Sequence, residues 1–258
     1  SLHPFIIKGR SAAGRQYVFE SLLKRVWDEA FSLYGLIAET VETPADRSWV
    51  EFKLRADARW ADGTPITVDD VVFSMETLRD QGRPNHRLFY KKVAKVERPG
   101  PRTVRFSFAA DSDDRELPLI MGLMPILSKS YFEDIEFNET TLTPLMGSGP
   151  YRVASVDAGR AIVYERNPDY WGRDLAVNRG QNNFDTVRYE YFRDANVLME
   201  AFKAGEYDLR VEPSAQRWAT AYGFPAVQDG SVVLETLPNS RPSGMRGFVF
   251  NTRRDIFK

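Results

Sequence analysis

Residues 184–211, FDTVRYEYFRDANVLMEAFKAGEYDLRV, are the stretch that most limits the fold. An alternating segment comes first. A helical segment follows, with Val197, Leu198, Ala201 and Phe202 on one face, and after Gly205 comes a second short strand-like segment. Glycine suits the backbone conformation at a helix end, so the helix stops there. Strand, helix and strand in this order predict a βαβ unit, and such a unit requires parallel strands covered by helices. The expected class is therefore α/β. Two more strand-like runs follow, SVVLETL at 231–237 and RGFVFN at 246–251.

Upstream, QYVFESLLKRVW (16–27) predicts a short helix with Val18, Leu22, Leu23 and Val26 near one face. Val50, Phe52 and Leu54 alternate in a half-buried strand that runs on to a turn at Asp62-Gly63. Thr67 caps the next helix, whose apolar face is Val71, Val72, Met75 and Leu78. Asp69 and Asp70 fall in its first turn, where the helix dipole favours carboxylates, so capping accounts for them better than a metal or acid–base role. Residues 93–110 read as two strands around Pro99-Gly100-Pro101, with short helices at 115–122 and in LSKSYFED. GPYRVASVDAGRAIVYER (149–166) is a hairpin turning near Asp157-Ala158-Gly159. Directly after it, NPDYWG places two bulky aromatics, Tyr170 and Trp171, in a turn.

The chemistry that is missing narrows the function. The chain has no cysteine, which excludes disulfides, thiolate catalysis and cysteine zinc sites. It has no GxxxxGK[ST] loop, no GxGxxG after a strand and no GxSxG elbow. Ser148 lies in GSGPY, but neither His3 nor His86 has a claim to act as its base, and the small-residue run suits a backbone crossing. The acid pairs Asp113/Asp114 and Glu133/Asp134 read as solvated surface. No catalytic residue, metal or cofactor is expected. A net charge of −1 gives no global field toward nucleic acid or an anionic membrane. The 13% aromatic content fits either binding-cleft walls or a β-rich core. The chain opens on Ser1 with no initiating methionine or signal peptide and stops just after a strand-like segment, which reads as a piece of a longer protein.

Six segments in order carry a resemblance: FESLL (19–23), RADARWADGTPITVDDVVFSME (55–76), GSGPYRV (147–153), ERNPDYWG (165–172), AFKAGEYDL (201–209) and FVFNTRRDIF (248–257). Their order and spacing closely resemble the family 5 extracellular solute-binding proteins, the oligopeptide- and dipeptide-binding receptors of ABC importers. SLHPFIIKG and WDEAFSLYGLIAETVE look most like the YejA-type branch. The resemblance implies the first lobe of a two-lobed, periplasmic-binding-protein-like (type II) clamshell carrying an inserted α/β subdomain. Mapped onto this chain, the first lobe is 1–34 plus 147–250, a mixed sheet with flanking helices, and the insert is 35–146. Residues 251–258 begin the crossing to a second lobe that is absent. In the family the Asn-Pro-Asp-Tyr-Trp pattern is a packing corner, with Pro168 fixing the turn while Tyr170 and Trp171 cover the edge between hairpin and sheet.

The resemblance also implies that ligand is held without being transformed. A peptide would be gripped by backbone pairing, and a buried carboxylate could hold its α-ammonium. Glu20 matches an acidic first-lobe position facing the cleft, an ordinary amphipathic-helix glutamate being the alternative. Tyr90 matches an aromatic cleft position on the inserted-subdomain side. Phe19 and Tyr34 could wall the same groove, though core packing suits each better, and Arg246 and Phe248 lie near the lobe crossing. Gly247 departs from the family's usual aromatic there, which leaves the ligand's shape open. The expected partners are a peptide and the membrane permease subunits of an ABC importer, with no nucleic acid, for a monomer in the periplasm. The expected alternatives are a receptor for a nickel complex, haem, a sugar or an opine, and a sensory or chaperone-like module.

Overall fold

The computed structural model describes residues 1–26, 29–112, 114–238, 244 and 247–257. Two short strands, β1 (Leu23–Arg25) and β2 (Leu33–Gly35), pair antiparallel and lead into a four-stranded sheet. That sheet contains β3 (Ala38–Glu42), β4 (Trp49–Leu54), β5 (Val93–Gly100) and β6 (Thr103–Phe108), in the order β3-β4-β6-β5. Period-2 alternation builds it as the sequence predicts. Val50, Phe52 and Leu54 of β4 are fully buried, and the register sets Val50 against Phe106 and Phe52 against Val104. On the outer face the Arg105 guanidinium lies 4.2 Å over the Trp49 ring and bonds Glu51.

Helix α1 (Val68–Gln81) buries Val71, Val72, Met75 and Leu78 against this sheet's core. Thr67 and Asp70 form a capping box, and the other Asp70 oxygen accepts the Lys129 amide at 2.8 Å. That bond ties the start of α1 to α4 (Lys129–Phe132), while α2 (Pro84–Tyr90) and α3 (Leu117–Gly122) complete the layer. Asp70 therefore satisfies donors from two helices. Asp70→Ala is expected to lower stability by about 2 kcal/mol, read by urea denaturation. A loss no greater than that of an exposed Asp62→Ala would refute this role.

A second sheet is the hairpin β7 (Tyr151–Asp157) and β8 (Ala161–Arg166) with β9 (Thr186–Glu190) along its edge. Leu2, Val18, Tyr151, Ile162 and Tyr164 form its core. The N-terminal segment is strapped across it, because Tyr164 Oη donates to the Ala13 carbonyl and Tyr191 Oη accepts the Ala13 amide. A third, small core gathers Met199 and Phe202 of α5 (Ala195–Lys203) with Tyr222. Beside it Arg210 and Glu212 pair at 2.9 Å with their side chains 4% and 1% exposed. Two short helices, α6 (Ala215–Thr220) and α7 (Pro225–Gln228), end this region. No helix among the described residues is long and apolar enough to cross a membrane.

Two sequence expectations fail. Residues 16–27 are not a helix: after a 3-10 turn at Arg15–Tyr17 the chain is extended into β1. The reason lies in the carbonyls of alternate residues. Val18 accepts Gly149, Glu20 accepts Ile126, and Leu22 accepts both Leu36 and Ala38, so none is free for an i+4 amide. The βαβ unit is also absent. β9 pairs antiparallel with β8, and residues 206–211 and 231–237 form no strand, nor do the described residues of 246–251. Every strand pairing among the described residues is antiparallel, so the expected mixed sheet is not observed there. Leu209, Val211, Val233, Leu237, Phe248 and Val249 are correspondingly exposed.

Both histidines are held neutral. His3 is 1% exposed, with its ring 4.7 Å from that of Phe137, and burial pushes its pKa down to about 4 against the opposing Phe137 backbone contact. His86, stacked on Tyr90, is pushed down to about 4 by burial and then by Arg83 and Arg15. Folded-state values below the ordinary 6.5 mean that the stability is present above that pH and lost as pH falls toward 4. His3 alone is expected to cost about 2 kcal/mol by pH 5. Urea midpoints at pH 7 and 5 test this. A fall in stability undiminished in His3→Leu would exclude His3 as its source.

Candidate functional site

Gly147 and Gly149 let two chain segments touch. A Cβ on Gly147 would lie 2.1 Å from the Val18 carbonyl oxygen, and one on Gly149 would lie 2.3 Å from that of Tyr17. The close crossing brings Glu20, buried at 8% exposure, beneath the NPDYWG corner. The corner is closed by Asn167, whose amide donates to Pro150 O and whose carbonyl accepts from Tyr170. Tyr170 and Trp171 stand edge to face at 5.9 Å, and both point donors at the one carboxyl. Tyr170 Oη donates to Oε1, and Trp171 Nε1 donates to Oε2 at 3.2 Å and to Ser148 O at 3.1 Å.

The network continues outward. Asn178, 3% exposed, donates to Tyr170 Oη at 2.9 Å and to Gly172 O at 2.8 Å, and it accepts Lys24 Nζ at 2.6 Å. Burial pushes the Glu20 pKa up to about 7, although Tyr170, Ser148, Trp171 and Lys24 all favour its ionised form. Burial lowers the Lys24 pKa while Glu20 opposes the shift, and the Tyr170 phenol is pushed up by burial and then by the Glu20 charge. The cluster can hold or release one proton near neutral pH. Among the described residues no three His, Asp or Glu side chains are grouped to hold a metal.

The other expected ligand residues are scattered. Phe19 is half-buried between the two larger cores, 4.9 Å from Phe5. Tyr90 is 3% exposed, its ring parallel to that of His86, which in turn contacts Phe5, so one aromatic series runs from Phe19 to Tyr90 inside the core. Tyr34 is 43% exposed, pairs with Lys24 across β1 and β2 and donates to Glu29. Phe248 is 97% exposed, and Arg246 lies outside the described residues. Asn178 and Lys24 were not legible as members of the Glu20 network, because Asn178 sits far away in sequence and Lys24 carries no motif of its own.

The model of the bacterial extracellular solute-binding proteins, family 5, matches residues 32–258. The chain belongs to that family. A binding protein of Brucella melitensis is 47% identical over 267 residues, covering all of this chain and 43% of its own length. A protein of Agrobacterium fabrum named as a probable peptide-binding protein, YejA, is 43% identical over the whole chain, again across 43% of its length. The chain thus spans less than half of these relatives. Among solved structures, the oligopeptide-binding protein AppA of Bacillus subtilis in complex with a nonapeptide superposes with a TM-score of 0.66 at 22% identity, covering 84% of this chain and 42% of AppA. That likeness establishes the fold, a periplasmic-binding-protein lobe. Its partial coverage fits a single lobe.

Proposed function

We propose that this family 5 chain is the first lobe of a receptor that captures peptides in the periplasm and passes them to an ABC permease. The observation that carries the reading is the 43% identity to the relative named as a probable peptide-binding protein, which runs along the entire chain. The site agrees with it: a buried carboxyl held by two donors can position and polarise a bound group, which suits a binder that leaves bonds intact. Residues 1–34 and 147–250 would form the lobe, and 35–146 the insert. Of the candidate residues, the exposed Tyr34 and Phe248 would meet the solute directly, with Arg246, two positions before Phe248, as a further candidate, and Glu20, Phe19 and Tyr90 would act from beneath the surface. The receptor works as a monomer.

Solutes co-purifying with the protein at the length of its relatives, identified by mass spectrometry, test the reading. Peptides are expected, and calorimetry should then show binding with no hydrolysis. A nickel complex, sugar or opine as the sole co-purifying solute would overturn the peptide assignment, and turnover of peptide would overturn the receptor.

A further inference from the structure

A groove of about 790 Å³ lies on the outer side of the NPDYWG corner, between the β7–β8 end and the loop 173–186. That volume falls in the range of small-molecule sites. The groove goes beyond the receptor reading, since it shares only Tyr170 and Asn178 with the Glu20 cluster.

Four arginines line it: Arg152, Arg166, Arg173 and Arg179. Arg166 is paired with Asp185, and Arg152 faces Glu165 at 3.9 Å. The other two differ. Arg173 donates to the Pro168 carbonyl and Arg179 Nε donates to the Asp174 carbonyl at 3.3 Å, and among the described residues neither is in an ion pair. Their guanidinium forks are thus steadied by backbone and keep donors to spare, against the single remaining lining carboxylate of Asp174.

The loop that carries them is preorganised. Asn178, 97% buried, spans Tyr170 and Gly172 from within, and Lys24 bonds both Asn178 and Gln181. Gly180 at φ 75° and Asn182 at φ 57° make the tight turn between. A fixed loop loses little freedom on binding, and guanidinium forks match the planar oxygens of carboxylate or phosphate.

We propose that this groove binds a small, multiply charged anion, with Arg173 and Arg179 gripping its carboxylate or phosphate oxygens. Calorimetric titration of the 258-residue chain with citrate, and separately with inorganic pyrophosphate, tests the proposal. Saturable 1:1 binding of at least one probe is expected, weakening as salt is raised because the arginines are exposed. Citrate alone would mark a carboxylate ligand, and pyrophosphate alone a phosphate ligand. The Arg173→Gln/Arg179→Gln double variant is expected to bind about tenfold more weakly or worse, and the corresponding double lysine variant should lie between. In the unsubstituted chain the Nε–H resonances of Arg173 and Arg179 should move on adding probe, a readout that does not depend on the variants folding. No binding of either probe would overturn the proposal, as would binding that leaves those two resonances in place.

Discussion

Gly149→Ala lowers the unfolding free energy by about 4 kcal/mol, the largest loss expected from adding one methyl group to this chain. The new Cβ would stand 2.3 Å from the Tyr17 carbonyl oxygen, and the alanine must keep a main-chain bond to Val18 O at 3.0 Å on the same approach. Both obstacles are backbone, so no side chain can swing aside to relieve them. A Cβ on Gly147 would meet the Val18 oxygen at 2.1 Å, and the Gly147 carbonyl accepts the Ala61 amide, so Gly147→Ala is expected to behave alike. The control is Gly159→Ala in the β7–β8 turn. There φ is +82° with nothing within 4 Å, and only the conformational cost of about 1 kcal/mol applies. Urea denaturation of the three variants decides the matter. Should the Gly149 variant melt with the Gly159 variant, the crossing is looser than described.

The second large effect concerns the proton on Glu20. Its folded pKa of about 7 lies above the ordinary 4.5, so the stabilising form is the neutral acid. The contribution is complete below pH 4.5 and is lost as pH rises through 7, a span worth about 3 kcal/mol. The two histidines act in the opposite direction over an overlapping range, so the raw stability profile mixes them. Comparing the chain with Glu20→Gln at each pH cancels the histidines. The stability advantage of Glu20 over glutamine is expected to shrink by about 3 kcal/mol between pH 4.5 and 8. A difference that stays constant across that range would show that Glu20 does not titrate there. Glu20→Ala is harsher at low pH, since it strands the Tyr170 hydroxyl proton and leaves the Trp171 indole only the Ser148 carbonyl, and about 3–5 kcal/mol should be lost at pH 4.5, shrinking as pH rises through 7.

The two predictions share one physical origin. The crossing at Gly147 and Gly149 carries the 17–20 segment under the corner, and only that approach places the carboxyl within reach of both aromatic donors. The corner's aromatics are thereby neither surface anchors nor mere packing. They are the hydrogen-bond donors that make a buried acid tolerable.

Local chemistry determined much of this from the amino-acid order alone. The capped helix at 68–81, the alternating strands at 49–54 and 103–108 and the hairpin at 151–166 arise from contacts within a few residues, and each formed where its pattern lay. The small-residue run at 147–150 was readable as a crossing because glycine there has few other uses. What tertiary structure decided were the partners. Residues 16–27 have a helix-like apolar face, yet the carbonyls of Val18, Glu20 and Leu22 bond segments more than a dozen residues away, and long-range bonds override a weak local preference. Residues 206–211 and 231–237 alternate like strands but have no partner strand among the described residues, and a lone strand cannot satisfy its backbone. Glu20, Lys24, Tyr170 and Asn178 lie up to 158 positions apart, from Glu20 to Asn178, and only the folded chain reveals that they share one proton-bearing network.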